Sequence, residues 1–237
     1  NSTGISDDCG STGNETVTFT VTDIHGNSSA TTATFTVIDD HAPSCPLIDL
    51  TDGSDTGLSN SDNITNDDTP TVHVVFTGSS VESAEAGDIV ELYIGGTLSQ
   101  THTVTQTDVD NGYAAFETGP LADGAVGFSA LHIDDCGQSS IFAFLNIIVH
   151  STNPSAAGAD ITVVLDEDGN VFIEDEDLDD GSEDDFNVID LLAGQTDFDC
   201  SDVGDNTVTL TVTDIAGNTA TTSVTVTVVD DIAPTVE

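Results

Sequence analysis

The run Asp175-Glu176-Asp177-Leu178-Asp179-Asp180-Gly181-Ser182-Glu183-Asp184-Asp185 is the densest series of carboxylates in the chain. Closely spaced carboxylates around a turn-forming glycine can wrap oxygen ligands about a hard cation, and Ca²⁺ is the first candidate. Asp175, Asp177 and Asp179 are the ligands this run offers. The D-x-D-x-D-G spacing and distal Glu of an EF-hand are absent, so the alternative of a charged, solvated loop stays open. A second pattern occurs twice as D-I-x-G-N, with Asp23 and Asn27 in one copy and Asp214 and Asn218 in the other. Asp and Asn at hairpin turns usually serve conformation, and these turns are read that way. Each is followed by a D-D pair, Asp39-Asp40 and Asp230-Asp231. Those pairs stand at expected domain boundaries, where a bound ion would stiffen the chain.

Catalytic chemistry finds little support. The histidines (His25, His41, His73, His102, His132 and His150) are scattered singly, with no H-E-x-x-H or close Cys/His set. Each is read as a strand or turn residue. No G-x-S-x-G elbow marks a nucleophile. Carboxylates are so frequent that no acid/base pair stands out. The expectation is a protein that is not an enzyme.

Composition explains why cations matter. The 237 residues include 44 Asp and Glu but no Lys or Arg, for a formal net charge of -44. No carboxylate can be neutralised by a basic partner within the chain, so self-repulsion must be offset by salt or bound cations. Such a surface repels nucleic acid and anionic lipid. No apolar run reaches the ~18 residues of a membrane span, and no signal peptide is present, so the chain reads as a mature, exported fragment. Cys9, Cys45, Cys136 and Cys200 form no C-x-x-C pair. Structural disulfides in an oxidising compartment fit them better than a zinc ribbon.

The elements that must position these groups are short strands. Asp8 to Pro43 aligns without gaps on Asp199 to Pro234, with about 21 identities in about 36 positions. Each copy alternates Val, Phe or Leu with Thr (Thr16 to Thr22; Thr207 to Thr213), turns at D-I-x-G-N, and continues into a second strand. Period-two alternation gives one buried and one wet face, the pattern of an antiparallel sandwich hairpin. Only the second copy is preceded by strands that could complete a sandwich, beginning with the hairpin around Asp168-Gly169-Asn170. Between the copies, six or seven strands such as TVHVVFTG and DIVELYIGG suggest an immunoglobulin-like sandwich.

These motifs carry two resemblances. The segment Phe198 to Pro234, with F-D-C-x-x-V-G-x-N-T-V-T-L-T-V-T-D-x-x-G-N-T-A-T and V-T-V-V-D-D-I-A-P, resembles hyalin-repeat-like domains of bacterial surface proteins. The segment DLTDGSDTGLSNSDNITNDDTPTV (Asp49 to Val72), with AEAGDIVELYIGG and LADG, resembles the bacterial Ig-like domains of large secreted adhesins. The expected architecture is all-β, with tandem immunoglobulin-like β-sandwiches: a partial hyalin-like unit over 1–43, an Ig-like sandwich over 44–153, and a hyalin-like sandwich over 154–237. The second resemblance implies a Ca²⁺ loop built from Asp49, Asp52, Asp55 and Asp62, completed by Asp134 and Asp135. The hyalin-like pattern usually has a cysteine after its acidic segment, where this chain has Phe186. That leaves Cys200 without the usual partner. The Ig-like order implies a Cys45–Cys136 bridge, with Cys9–Cys45 as the other pairing and Cys200 free or paired between subunits.

Together the resemblances imply a non-enzymatic, extracellular or cell-surface rod segment of a bacterial adhesin or surface filament. Its partners would be neighbouring copies of itself or adjacent repeats, head to tail, with Ca²⁺ stiffening the joints and no nucleic acid or membrane insertion. The alternative is a module that binds a glycan or host protein directly. Stacking platforms for that role are scarce, since the chain has no Trp and only Tyr93 and Tyr113.

Overall fold

A computed structural model describes residues 13–38, 42–77 and 83–233. The chain is all-β and Ig-like, and among the described residues one short helix and two 3-10 turns are the exceptions. By contacts, the described residues fall into two compact units. The first holds those up to Asp49, with Val72–Phe116 and Val126–Asn146; the second holds Leu50–Thr71, Glu117–Ala125 and those from Ile147 onward. Asp39 and Asp40, and Cys9, lie outside the described residues.

Strands β1 (Gly13–Thr22) and β2 (Ser28–Val37) form a two-stranded antiparallel sheet by themselves. Then follow β3 (Leu47–Leu50), β4 (Ile64–Thr65), β5 (Thr71–Val75), β6 (Ile89–Ile94) and β7 (Thr97–Thr103). After helix α1 (Gln106–Asn111) come β8 (Tyr113–Glu117), β9 (Gly124–Ile133) and β10 (Ala143–Val149). Two sheets arise from these strands, ordered β3-β5-β8 and β4-β10-β9-β6-β7. In β6 and β9 every second residue is buried, so Val90, Leu92, Phe128 and Ala130 form one inner face of the first unit. Thr105 starts α1 because its hydroxyl accepts the Asp108 N–H while the Asp108 carboxylate takes the Thr105 N–H. Gly112, at φ 81°, ends it in the left-handed conformation.

The C-terminal strands are β11 (Ile161–Val164), β12 (Asn170–Phe172), β13 (Val188–Ala193), β14 (Asp197–Asp199), β15 (Gly204–Asp214) and β16 (Thr219–Val229). They make a four-stranded sheet in the order β11-β16-β15-β13 and a separate β12-β14 pair. Strand β11 runs parallel to β16, with Ile161 opposite Val226 and Val164 opposite Val229. Val208, Leu210, Val212, Val224, Val226 and Val228 project from β15 and β16 into one core with Leu165, Leu178 and Phe198. The Val/Thr alternation thus sorts as the sequence requires, with apolar side chains inside.

The repeat is exact in register and unequal in burial. Phe19 faces Thr31 across β1–β2 as Leu210 faces Thr222 across β15–β16. Leu210, Val212 and Val226 are 0% exposed, whereas their counterparts Phe19, Val21 and Phe35 are 51%, 74% and 54% exposed. The same amphipathic hairpin is covered once and bare once.

Cys45 and Cys200 are free thiols, and Cys136 is disulfide-bonded. Neither the Cys45–Cys136 bridge nor the Cys9–Cys45 alternative is therefore formed. The half-buried Cys45 thiol instead lies 3.4 Å from the Pro46 carbonyl oxygen, a weak hydrogen bond that satisfies it locally.

Candidate metal centre

At the end of β15 the D-I-x-G-N turn closes on itself. Asp214 Oδ1 accepts the Asn218 backbone N–H at 2.9 Å and Oδ2 accepts the Asn218 side-chain N–H at 2.8 Å. The first copy makes the same bonds between Asp23 and Asn27. There the turn is solvated and Ile24 is 96% exposed, while in the second copy Asp214 and Ala216 are fully buried. Loop residues 56–58 press on the buried turn. Leu58 N–H donates to Ile215 O, and a Cβ on Gly217 would stand 2.8 Å from Thr56 O.

His150 follows β10, whose last residues pair parallel with β4, and its own N–H donates to Thr65 O. Its carbonyl accepts the second side-chain hydrogen bond of Asn218, at 2.8 Å. This places the imidazole, 4% exposed as a residue, beside the buried turn. Nε2 lies 3.2 Å from Asp184 Oδ2, 3.4 Å from Asp214 Oδ2 and 3.7 Å from Asp185 Oδ1. Nδ1 lies 3.6 Å from Asp123 Oδ2. The Asp184 side chain is 2% exposed and its Oδ2 also accepts the Phe186 N–H, while the Phe186 ring covers the imidazole at 4.9 Å. Asp123 accepts from Ser151 N–H and the Ser151 and Thr152 hydroxyls. Those bonds, with the Ser151 N–H foremost, hold its carboxyl down to about 2.

Among the described residues, His150, Asp184 and Asp214 are the one group of three or more such side chains whose ligand atoms lie within 4.8 Å of one another. All belong to the second unit. Two carboxylates and one imidazole can do one of two things: hold a metal ion, or share a proton as an internal ion cluster. Sequence reasoning missed this set. In the sequence His150 reads as a strand or turn residue, Asp214 as a turn-former, and Asp184 as one more charge in an acidic run. The available signal was compositional, because with no Lys or Arg a histidine is the only side chain that can offer positive charge to a buried carboxylate.

The expected ligands are dispersed. Asp175 Oδ1 accepts the Ala193 N–H, Asp177 caps Glu174, and Asp179 accepts from Gly181 and Ser182. Asp134 closes a turn on the Gln138 N–H, and Asp230 does so on Ile232. Asp49, Asp52, Asp135 and Asp231 are exposed. Asp55 and Asp62 are different, because they lie together. Asp55 is 4% exposed and its Oδ1 is buried without a partner. Burial pushes its carboxyl up, and Asp62 adds to that, against the hydrogen bond from the Asn63 N–H.

Residues 42–151 match the bacterial Ig-like domain family. The matched segment ends one residue after His150, so the imidazole falls within it while Asp184 and Asp214 come from beyond it. No curated protein shows significant similarity to the chain. Among solved structures, a Ca²⁺-stabilised adhesin with which an Antarctic bacterium binds ice is 21% identical, with 96% of this chain and 59% of that one covered at a TM-score of 0.45. A 1.5-MDa bacterial ice-binding adhesin is 19% identical, with 92% and 74% covered and a TM-score of 0.40. The fibronectin(III)-like modules of Clostridium thermocellum CbhA are 17% identical, with 68% and 85% covered and a TM-score of 0.35. The chain thus spans about three-fifths of the first of these adhesin structures.

Proposed function

We propose that the chain is a non-enzymatic segment of an extracellular, adhesin-type bacterial protein, built to be joined in series. The observation that carries this reading is the repeated hairpin, covered in one copy and bare in the other. In the second copy the cover comes from residues that precede it, including Leu165, Ile173, Leu178 and Phe198. The bare face of β1–β2 has the same chemistry and register, so its natural occupant is a segment like 154–198, from an adjacent repeat or a neighbouring copy. On this reading residues 1–43, 44–153 and 154–237 are successive modules. Stability in such arrays is close to a sum over units and their neighbours.

Joining a second copy of residues 154–198 directly before Asp8 tests the proposal. Amide protection in β1–β2 is expected to rise to the level of β15–β16. Amides that stay as exposed as in the original chain would reject it.

Ca²⁺ is the cation we assign to the carboxylate loops, with Asp55 and Asp62 as its best-placed ligands. A buried, unpartnered carboxylate oxygen beside a second carboxylate suits a hard cation. Thermal unfolding in EDTA and then in Ca²⁺ is expected to show a clear rise in midpoint. A ligand at 100 times its Kd adds about 2.7 kcal/mol to the folded state. Asp55→Asn is expected to raise the midpoint in EDTA, by removing a buried unpaired charge, and to shrink the Ca²⁺ increment. An unchanged increment in that variant would move the ion elsewhere.

A further inference from the structure

We propose that His150, Asp184 and Asp214 form a binding site for one divalent transition-metal ion of the zinc or cobalt class, separate from the calcium sites of the carboxylate loops. The deciding atom is His150 Nε2, which is buried and makes no hydrogen bond although two carboxylate oxygens lie within 3.4 Å. A buried polar atom left unpaired has given up its bonds to water with nothing in exchange. An ion seated among the three ligand atoms removes that cost, and it does so where no Lys or Arg exists to neutralise Asp184 and Asp214.

Distance and ligand type agree. Zinc-like ions bind nitrogen and oxygen at about 2.0–2.2 Å in a tetrahedron, whose edges are then about 3.4 Å long. The separations from Nε2 are 3.2 Å to Asp184 and 3.4 Å to Asp214. The nitrogen selects the class of ion, because Ca²⁺ and Mg²⁺ take oxygen ligands whereas imidazole suits Zn, Cu, Fe and Ni. Asp214 is held for the task by both bonds from Asn218, and Asp184 by the Phe186 N–H. Asp123, which accepts hydrogen bonds from Ser151 and Thr152, stands 3.6 Å behind Nδ1, as carboxylates commonly do behind metal-bound histidines. Three protein ligands leave a fourth position, which water or the exposed Asp185 carboxylate can take.

With water in the fourth position the ligand charges balance, two carboxylates and a neutral imidazole against a dication. The ion would tie the end of β10 to the end of β15 and to the acidic loop at Asp184. Its role is structural, since buried ligands and the Phe186 ring leave little access for a substrate.

The test uses the full chain, stripped of metal and kept in millimolar Ca²⁺ so that exposed carboxylates are already saturated. Titration with Co²⁺ is expected to give one equivalent with the intense visible absorption of a low-coordinate site, displaced by Zn²⁺ and resistant to Ca²⁺. His150→Gln is expected to lose that absorption and to weaken Co²⁺ binding by at least about tenfold, and Asp184→Asn to weaken it similarly. Circular dichroism checks that each variant folds. If His150→Gln does not, ¹⁵N imidazole spectra of the native chain decide, with Zn²⁺ expected to move the Nε2 signal of one histidine of the six. Absorption that is weak, abolished by Ca²⁺ or unchanged in His150→Gln overturns the proposal. So does a His150 ring that keeps its Nε2 proton at saturating Zn²⁺, which would make the cluster a proton-sharing ion group. Neither result bears on the tandem-repeat or Asp55 experiments, which probe other residues.

Discussion

Leu210→Ala is expected to destabilise the second unit by about 2–5 kcal/mol, while Phe19→Ala, the matching position of the first hairpin, costs less than about 1 kcal/mol. The two positions hold equivalent places in register in the first strand of each hairpin, each flanked by Thr on both sides. They differ in cover, at 0% against 51% exposure. Removing Leu210 leaves a cavity among Val208, Val212 and the facing strands, and a packed core relaxes only partly around such a void. Phe19 has no such enclosure to lose. Urea unfolding followed by probes in each hairpin would measure both. Equal costs would show that β1–β2 is covered after all, and the bare-face argument would fall with that result. In the chain lengthened by residues 154–198, Phe19→Ala is expected to become as costly as Leu210→Ala.

Gly217→Ala comes second, at about 2–5 kcal/mol, against about 1–2 kcal/mol for Gly26→Ala. Both glycines sit at φ near 86°, where an L side chain pays a penalty of about 1–2 kcal/mol. Gly26 has nothing within 4 Å of a built Cβ, so that penalty is its whole cost. At Gly217 the new methyl also meets Thr56 O at 2.8 Å, and overpacking against backbone typically adds about 1–3 kcal/mol. The substitution would also push on the turn that aims Asp214. Thermal midpoints of the two variants give the comparison directly. Similar shifts would mean that the 56–58 loop yields freely and does not clamp the turn.

The fold was legible because its rules are local. Strict Val/Thr alternation sets which face of β15 and β16 is buried, Asp/Gly turns set the hairpins, and the repeat could be aligned by eye. The candidate metal centre was not legible for the opposite reason. His150, Asp184 and Asp214 are separated by 34 and 30 residues, and nothing local distinguishes Asp214 from Asp23. Their side chains even make the same bonds. What separates them is burial, imposed by residues 56–58 and by His150, and burial belongs to the tertiary structure. In the acidic run, Asp175 accepts the Ala193 N–H, Asp177 the Glu174 N–H, and Asp179 the Gly181 and Ser182 N–H groups, bonds that the spacing of the carboxylates does not announce. The cysteines show the limit of reading by resemblance, since the thiol of Cys45 is free although the resemblance implies a Cys45–Cys136 bridge.

The pairing of β11 with β16 has a consequence for load. Ile161–Val164 and Val226–Val229 lie side by side and parallel, near opposite ends of the C-terminal segment. Tension applied ahead of β11 and beyond β16 draws these two strands past each other along their own axes. The rungs between them are then strained in shear and must yield together, whereas a hairpin pulled from its open end unzips one rung at a time. Four residues of ordinary ladder thereby become the clasp of the segment.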